Sequence, residues 1–371
     1  MHLSAADEYF THQTSLPHAM VATSDPSWRE RYWVSFQDTR GGDTVLTLGM
    51  GKYPNQDVFE AFVCLSSNGI QRNLRLSRTL LPDDSMGVGS FSCTVVEPLR
   101  ELRFRLEENE SGVGFDITFD ATMEPLLEGR FFQVSRARVT YDAIRYVQHG
   151  RARGTLHTPE GTIELTPDRW WAERDHSWGT RPLPRAEGMP PGTRPEWKML
   201  LFAPLQLPDF AVHIYLQESE PGQPVHLSAG IVPPVGSGKE FPAIVGVEHD
   251  LQWVRDAAAP TLAGGRIALL LHGGDRIDLQ IRALEGRAHL RGGGYEGWNG
   301  WMQGQWRGDS TAEHDEWDLS DTASFYRYAK AGSDHLVEVT HDGATGYGVI
   351  EYMVLPGYGR YEEALPPRRK Q

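Results

Sequence analysis

Apolar and polar residues alternate one by one along most of this chain. Leu102, Phe104 and Leu106 alternate with charges. Val113, Phe115, Ile117 and Phe119 do the same on the far side of a short turn at 109–112. Phe210, Val212, Ile214 and Leu216 form another such series, and so do Ile277, Leu279, Ile281 and Ala283. A period of two puts successive side chains on opposite faces of a strand, so each of these runs reads as a strand with one buried face. Residues 32–37, 44–50, 58–65, 131–141, 154–165, 197–203, 225–232, 324–328, 336–339 and 347–354 also read as strands. Helical periodicity is weak, and the only candidates are the first dozen residues and a turn near 4–10. The 39 glycines and 24 prolines exceed the roughly 12% of an average chain, and 11 tryptophans accompany them. Frequent turns and many large flat side chains point to an all-β protein with a wide apolar interior, built as barrels or sandwiches.

The 371 residues are long for one domain. The densest break is RPLPRAEGMPPGTRP at 181–195, whose prolines cannot sit inside a sheet. We therefore expect two barrels, one over 1–185 and one over 186–371. The stretch EHDEWD at 313–318 reads as a solvated loop, and PPRRKQ at the end as a frayed tail.

Several functions are excluded or disfavoured. A net charge of −14 repels phosphate backbones, which argues against nucleic-acid binding. No apolar run nears the roughly 20 residues of a membrane-spanning helix. The opening MHLSAADEYFTHQ has no basic region followed by an apolar one, so no secretion signal is expected. Two cysteines, Cys64 and Cys93, cannot staple a chain this long, fit a reducing cytoplasm and are too few for a four-ligand zinc site. Gly292-x-Gly294-x-x-Gly297 matches a dinucleotide fingerprint in letters only, because WNGWMQGQW follows it where a helix is required. VGSGKE at 235–240 lacks the leading Gly and trailing Ser or Thr of a phosphate loop. No metal or cofactor is expected. A homodimer is compatible with the sequence.

The segment richest in chemistry is WWAERDHSWG, residues 170–179. On a strand, Trp170, Ala172, Arg174, His176 and Trp178 share one face, and Trp171, Glu173, Asp175 and Ser177 the other. Asp175, His176 and Ser177 therefore point apart and make a poor serine triad. A carboxyl or imidazole buried among indoles would instead have its pKa moved toward neutrality, where it can donate or accept a proton. The competing reading is that Asp175 pairs with Arg174 or Arg181 and the tryptophans fill core.

WWAERDHSWG resembles the Trp-x-Asp-His-Glu-Trp signature of the lipocalin-like family of carotenoid 1,2-hydratases (hydroxyneurosporene synthases) and AttH-type proteins. Asp175, His176 and Trp178 match its Asp, His and second Trp, and Ser177 stands where that family commonly has Glu. Residues 32–38 with Gly49-x-x-x-Tyr-Pro-Asn55 resemble its early strand pair. Residues 107–119 resemble its central hairpin, and 346–352 its last strand. The resemblance implies two lipocalin-like barrels packed together around a cavity for an apolar substrate. It also implies cofactor-free chemistry: addition of water to an isoprenoid double bond, isomerisation, or cyclisation of a polyene.

The second half adds candidates. Trp298 and Trp301 lie in GGGYEGWNGWMQGQW, as a cavity wall or as a barrel corner packed on glycine. His213 and Tyr215 lie on the face opposite Val212 and Ile214, lining either the lumen or a plain exposed face. Glu351 shares a side with Tyr347, Val349 and Met353, either paired with an Arg or held as a protonated acid. The expected catalytic set is thus Asp175, His176 and Glu351. The expected substrate-binding set is Trp170, Trp171, Trp178, His213, Tyr215, Trp298, Trp301 and Tyr347. The alternative to an enzyme is a carrier that binds a lipophilic ligand without chemistry.

Overall fold

The computed structural model describes residues 14–80, 85–135, 138–181 and 196–365. The candidate helix at 4–10, the residues 182–195 of the expected linker and the tail at 366–371 lie outside these. The described chain folds into two antiparallel sheets, each curled into a nearly closed barrel.

The first barrel uses β1 (Trp28–Asp38), β2 (Val45–Tyr53), β3 (Val58–Ser67), β4 (Ile70–Thr79), β5 (Gly87–Val88), β6 (Phe91–Glu97), β7 (Glu101–Leu106) and β8 (Gly114–Ala121). It continues with β9 (Leu126–Leu127), β10 (Phe131–Ser135), β11 (Arg138–Thr158), β12 (Gly161–Leu165) and β13 (Trp170–Thr180). The 21-residue β11 pairs with β13 on one side and β8 on the other, while β10 and β12 attach near its two ends and the short β9 pairs with its middle.

The second barrel uses β14 (Met199–Gln206), β15 (Ala211–Glu220), β16 (Gln223–Val232), β17 (Ile244–Trp253), β18 (Leu262–Leu271) and β19 (Arg276–His289). After β20 (Ser310–Asp318), it is completed by β21 (Ser333–His341) and β22 (Ala344–Val354). β20 leaves this sheet and pairs with β4 of the first.

Alternation sets the faces as expected. Leu102, Phe104 and Leu106 of β7 and Phe115, Ile117 and Phe119 of β8 all turn into the first core. The hairpin between them is shaped by Asn109, whose Oδ1 accepts from the Ser111 N–H and whose Nδ2 donates to the Val113 carbonyl. Gly112 closes the turn at φ +71, a backbone that favours glycine.

Two expectations are overturned. Residues 324–328 are not a strand but part of a helix, α1 (Thr322–Tyr328). The Asp321 side chain caps it by accepting from the Ala323 and Ser324 N–H groups. The stretch 313–318 is not a solvated loop but strand. Its alternate side chains Glu313 and Asp315 pair with Arg307 and Arg75, and Trp317 is buried.

The barrel interiors also differ from expectation. Each holds a buried apolar cluster: Phe36, Leu46, Phe104, Phe119 and Trp170 in the first, and Leu201, Ile214, Leu269, Leu279 and Ile350 in the second. A third cluster, with Trp33, Phe62, Val147, Phe202, Leu336 and Val349, glues the outer face of one barrel to that of the other. Two barrels thus present second faces to each other, and those faces are where polar residues of the alternating strands collect.

Candidate functional site

A chamber that holds three of the expected residues, Asp175, Tyr215 and Glu351, lies between the barrels. It has a volume of about 160 Å³. Its walls include Arg31, Trp33, Arg145, Asp175, Phe202, Tyr215, Tyr295 and Glu351. They come from β1, β11 and β13 on one side, and from β14, β15, β22 and the loop after β19 on the other. This volume is small beside the roughly 300–1,000 Å³ of a site for a whole drug-sized ligand.

Strand alternation accounts for the membership. On β13, Trp170 and Ala172 enter the first core. Arg174 on the same face stacks on Phe119 and hydrogen-bonds Gln148. Asp175, on the opposite face, points toward the second barrel, and its carboxylate lies 3.5 Å from Arg145 of the neighbouring strand β11. Arg145 is shared: its Nε and Nη2 also hold both oxygens of Glu128, at 2.7 and 3.1 Å. Glu128 in turn meets His213 Nε2 at 2.6 Å. Burial works against the Glu128 charge, but Arg145 and His213 outweigh it and hold the carboxyl down at about 2. Burial pushes the His213 imidazole below its usual range. The Arg145 guanidinium lies 4.6 Å from the ring centres of Phe202 and Tyr215, which cover it with aromatic faces.

Glu351 stands in a different environment. It is half-buried and lines the chamber, and its carboxyl has no hydrogen bond or ion pair among the described residues. Its pKa is raised to about 8, chiefly by burial and then by the nearby charges of Asp334 and Asp175, against the pull of Arg145. It is therefore largely a neutral acid at pH 7. Asp334 is fully buried and accepts from Trp33 Nε1 at 3.1 Å and Thr47 Oγ1 at 2.7 Å. Burial lifts it to about 7 despite those two bonds.

The structure brings together Asp175, Glu351 and Tyr215 in the chamber, with His213 behind Glu128. It separates the others. His176 faces away from Asp175, at one end of the first barrel, with Nε2 2.9 Å from Glu30 and Nδ1 3.3 Å from the Tyr146 hydroxyl. Trp178 stacks edge-on against that imidazole. Trp170 is core. Trp171 lies under the Arg151 guanidinium and edge-on to Tyr347, along the seam but outside the chamber. Trp298 packs with Trp317 and Tyr328 and donates to Asp315, and a Cβ on Gly294 would stand 2.9 Å from Trp301. Both belong to a packed corner; from their segment, Tyr295 reaches the chamber.

Sequence reasoning missed Arg31, Arg145, Glu128 and Asp334. Their signal was present, since each occupies the non-core phase of its segment. It could not be weighed without knowing that both outer faces would be covered. A larger hollow of about 450 Å³ opens beside Glu218, His249, Arg276 and Arg360. Its buried groups are mutually satisfied, His249 joining Glu218 at 3.1 Å and Tyr361 at 2.7 Å, while at its exposed rim Arg276 joins Glu248 at 2.8 Å. No group there resembles the unpartnered acid of the inter-barrel chamber.

Comparison with known proteins gives a fold and a family. The chain is similar to a candidate AttH protein of Nitrosomonas europaea, with a TM-score of 0.56 and 14% identity over 93% of this chain and 98% of that one. That likeness shows a shared fold. Kievitone hydratase of Nectria haematococca aligns with a TM-score of 0.42 and 10% identity, over 87% of this chain and 88% of that one. No curated protein matches the sequence. A family profile covers residues 3–362, and the chain belongs to that family, the family of unknown function DUF8625.

Proposed function

We propose that this protein is an enzyme that protonates a carbon–carbon double bond of a hydrophobic, isoprenoid-like small molecule in the inter-barrel chamber, without a cofactor. The observation that carries the reading is the place of Glu351, a carboxyl on the chamber wall with no partner among the described residues, whose pKa burial raises. Its O–H proton passes to one alkene carbon, the π pair forms the new C–H bond, and the other carbon becomes cationic. Asp175 lies on the opposite barrel, and the ring faces of Phe202, Tyr215 and Trp33 line the same space. A carboxylate and aromatic faces stabilise such a cation. Water then adds and returns a proton to the Glu351 carboxylate, or a neighbouring carbon gives up a proton to that carboxylate, or a second double bond attacks the cation to close a ring and the new cation then ends by one of these two routes. These outcomes are hydration, isomerisation and cyclisation. The fold shared with AttH and the WWAERDHSWG motif support placing the chain near the hydratases.

The test uses a panel of isoprenoid alcohols, isoprenoid acids and prenylated phenols, incubated with the protein in D₂O and in ¹⁸O-water and read by mass spectrometry. The reading expects one solvent deuterium or one labelled water in a product, lost in Glu351→Gln. A ligand retained unaltered, with no label from either solvent, would mark a carrier and overturn it.

A further inference from the structure

Arg31 is a buried cation without a counter-ion. It lies on β1, is 6% exposed and lines the chamber. Its Nη1 donates to Gln303 Oε1 at 2.8 Å. Its Nε and Nη2 have no partner among the described residues, and no carboxylate comes within 4.0 Å of it. Glu60 and Asp175 act on it only from beyond that range. Glu60 is already engaged, by the Tyr53 hydroxyl at 2.6 Å and the Gly304 N–H at 2.8 Å. Asp175 is engaged by Arg145.

The guanidinium is also held in place. Tyr295 stacks on it at 5.1 Å and Phe62 at 6.0 Å. Gly51 stands opposite Arg31 in the β1–β2 register, and a Cβ there would come within 2.6 Å of Arg31 Cγ. β2 thus leaves the room in which the side chain lies. A desolvated guanidinium with two nitrogens whose N–H groups are unmet is costly unless something accepts from them, and its planar fork matches the two oxygens of an oxyanion.

We propose that Arg31 anchors an anionic oxygen of the substrate, a carboxylate or an acidic enol or phenol in its ionised form. The inference rests on the reading of the chamber as a substrate site and narrows it: the substrate is an amphiphile with one charged end, not a hydrocarbon. The other cations on the chamber wall, Arg145 and Arg181, leave the anchor in a favourable field, and Glu351 adds little negative charge while protonated. The anchor also fits the small volume. The chamber needs to admit only the charged end and the double bond near it, with the rest of the molecule outside.

The experiment is calorimetric titration of the full chain with 2-naphthoate and with its methyl ester at pH 7. The acid is expected to bind about tenfold or more tightly than the ester, the scale of a charge-assisted bidentate contact. Arg31→Gln should bring the two to equal affinity. Gln303→Glu guards against a misfolded Arg31 variant: it supplies an internal carboxylate to Arg31 and should also abolish the preference. Equal binding of acid and ester to the unaltered protein, or a preference that survives in both variants, overturns the inference. The readout is equilibrium binding, so it is independent of proton transfer. Loss of turnover in Glu351→Gln without any acid preference rejects the anchor alone. An acid preference with undiminished turnover in Glu351→Gln rejects the proton donor alone.

Discussion

Arg145 Nη1 lies 3.5 Å from Asp175 Oδ2, while the rest of the same guanidinium grips Glu128. Asp175 therefore holds only the loose edge of a cation committed elsewhere. A carboxylate bound this lightly keeps most of its negative charge available to the chamber. A bidentate pair would have spent it on the arginine.

That relationship sets the outcome of Asp175→Asn. The amide is isosteric and Arg145 keeps Glu128, so the thermal midpoint should shift by no more than a few degrees. Turnover should fall on the order of a hundredfold, the scale of removing one preorganised electrostatic group, with substrate affinity little changed. Steady-state kinetics beside a melting curve check this. An unchanged turnover number removes Asp175 from the chemistry.

Glu351 predicts a pH dependence of definite sign. Its folded pKa of about 8 lies above the ordinary 4.5, so the folded state holds a proton that the unfolded state has released between those values. Folding stability contributed by this group is full below about 4.5, declines as pH rises, and is gone above about 8. Buried histidines titrate across the lower part of that window in the opposite sense, His149 and His335 being pushed down to about 3. The difference between the unaltered protein and Glu351→Gln isolates the carboxyl. The variant should match at pH 5 and be the more stable by on the order of a few kcal/mol at pH 8. Urea unfolding at the two pH values reads it. Turnover of the unaltered protein should fall on the alkaline side as Glu351 loses its proton.

The fold was legible because period-two alternation is a backbone fact: Phe104 and Ile117 point inward in any register that buries either. The segregation of Asp175 from His176 followed from the same geometry. What the alternation cannot say is what covers the outer face. Glu351, His213 and Tyr215 were placed on the correct side of their strands. That side proved to be a barrel–barrel seam, where a lumen or open solvent had been expected. The tryptophans misled for a related reason. Trp170 and Trp298 are large enough to fill a core or a corner, and size alone does not distinguish a wall from a filling. Strand β20 was missed because Glu313, Asp315 and Glu316 look solvated until Arg72 and Arg75 of β4 are set opposite them.

The seam depends on close backbone approach at Gly292. A Cβ there would stand 1.9 Å from Asn73 Oδ1 and 2.8 Å from Gln71 Nε2. Gln71 is one of the side chains that tie β4 to the second barrel, donating to the His289 carbonyl at 2.9 Å and accepting from the His289 N–H at 2.7 Å. Gly292→Ala should therefore cost about 1–3 kcal/mol through overpacking. It should also raise hydrogen exchange at the His289 amide more than at core amides such as that of Ile117, as measured by exchange mass spectrometry or NMR.

Asp334 separates two contributions of one buried carboxyl, its charge and its acceptor oxygens. Trp33 Nε1 and Thr47 Oγ1 both donate to Oδ2, whereas Oδ1 has no partner. Asp334→Asn keeps an oxygen for both donors and removes a charge that burial disfavours, the pKa having been raised from 3.8 to about 7. This variant should equal the unaltered protein at pH 5, where Asp334 is already protonated, and exceed it in stability at pH 8. Asp334→Ala also removes the charge but leaves a buried indole N–H and a hydroxyl without an acceptor, so it should fall below Asp334→Asn by about 1–3 kcal/mol for each group, and that difference persists at both pH values. Denaturant midpoints for the two variants at pH 5 and 8 decide the matter. If Asn and Ala are equally destabilising, the Trp33–Asp334 link between the barrels is not made in solution.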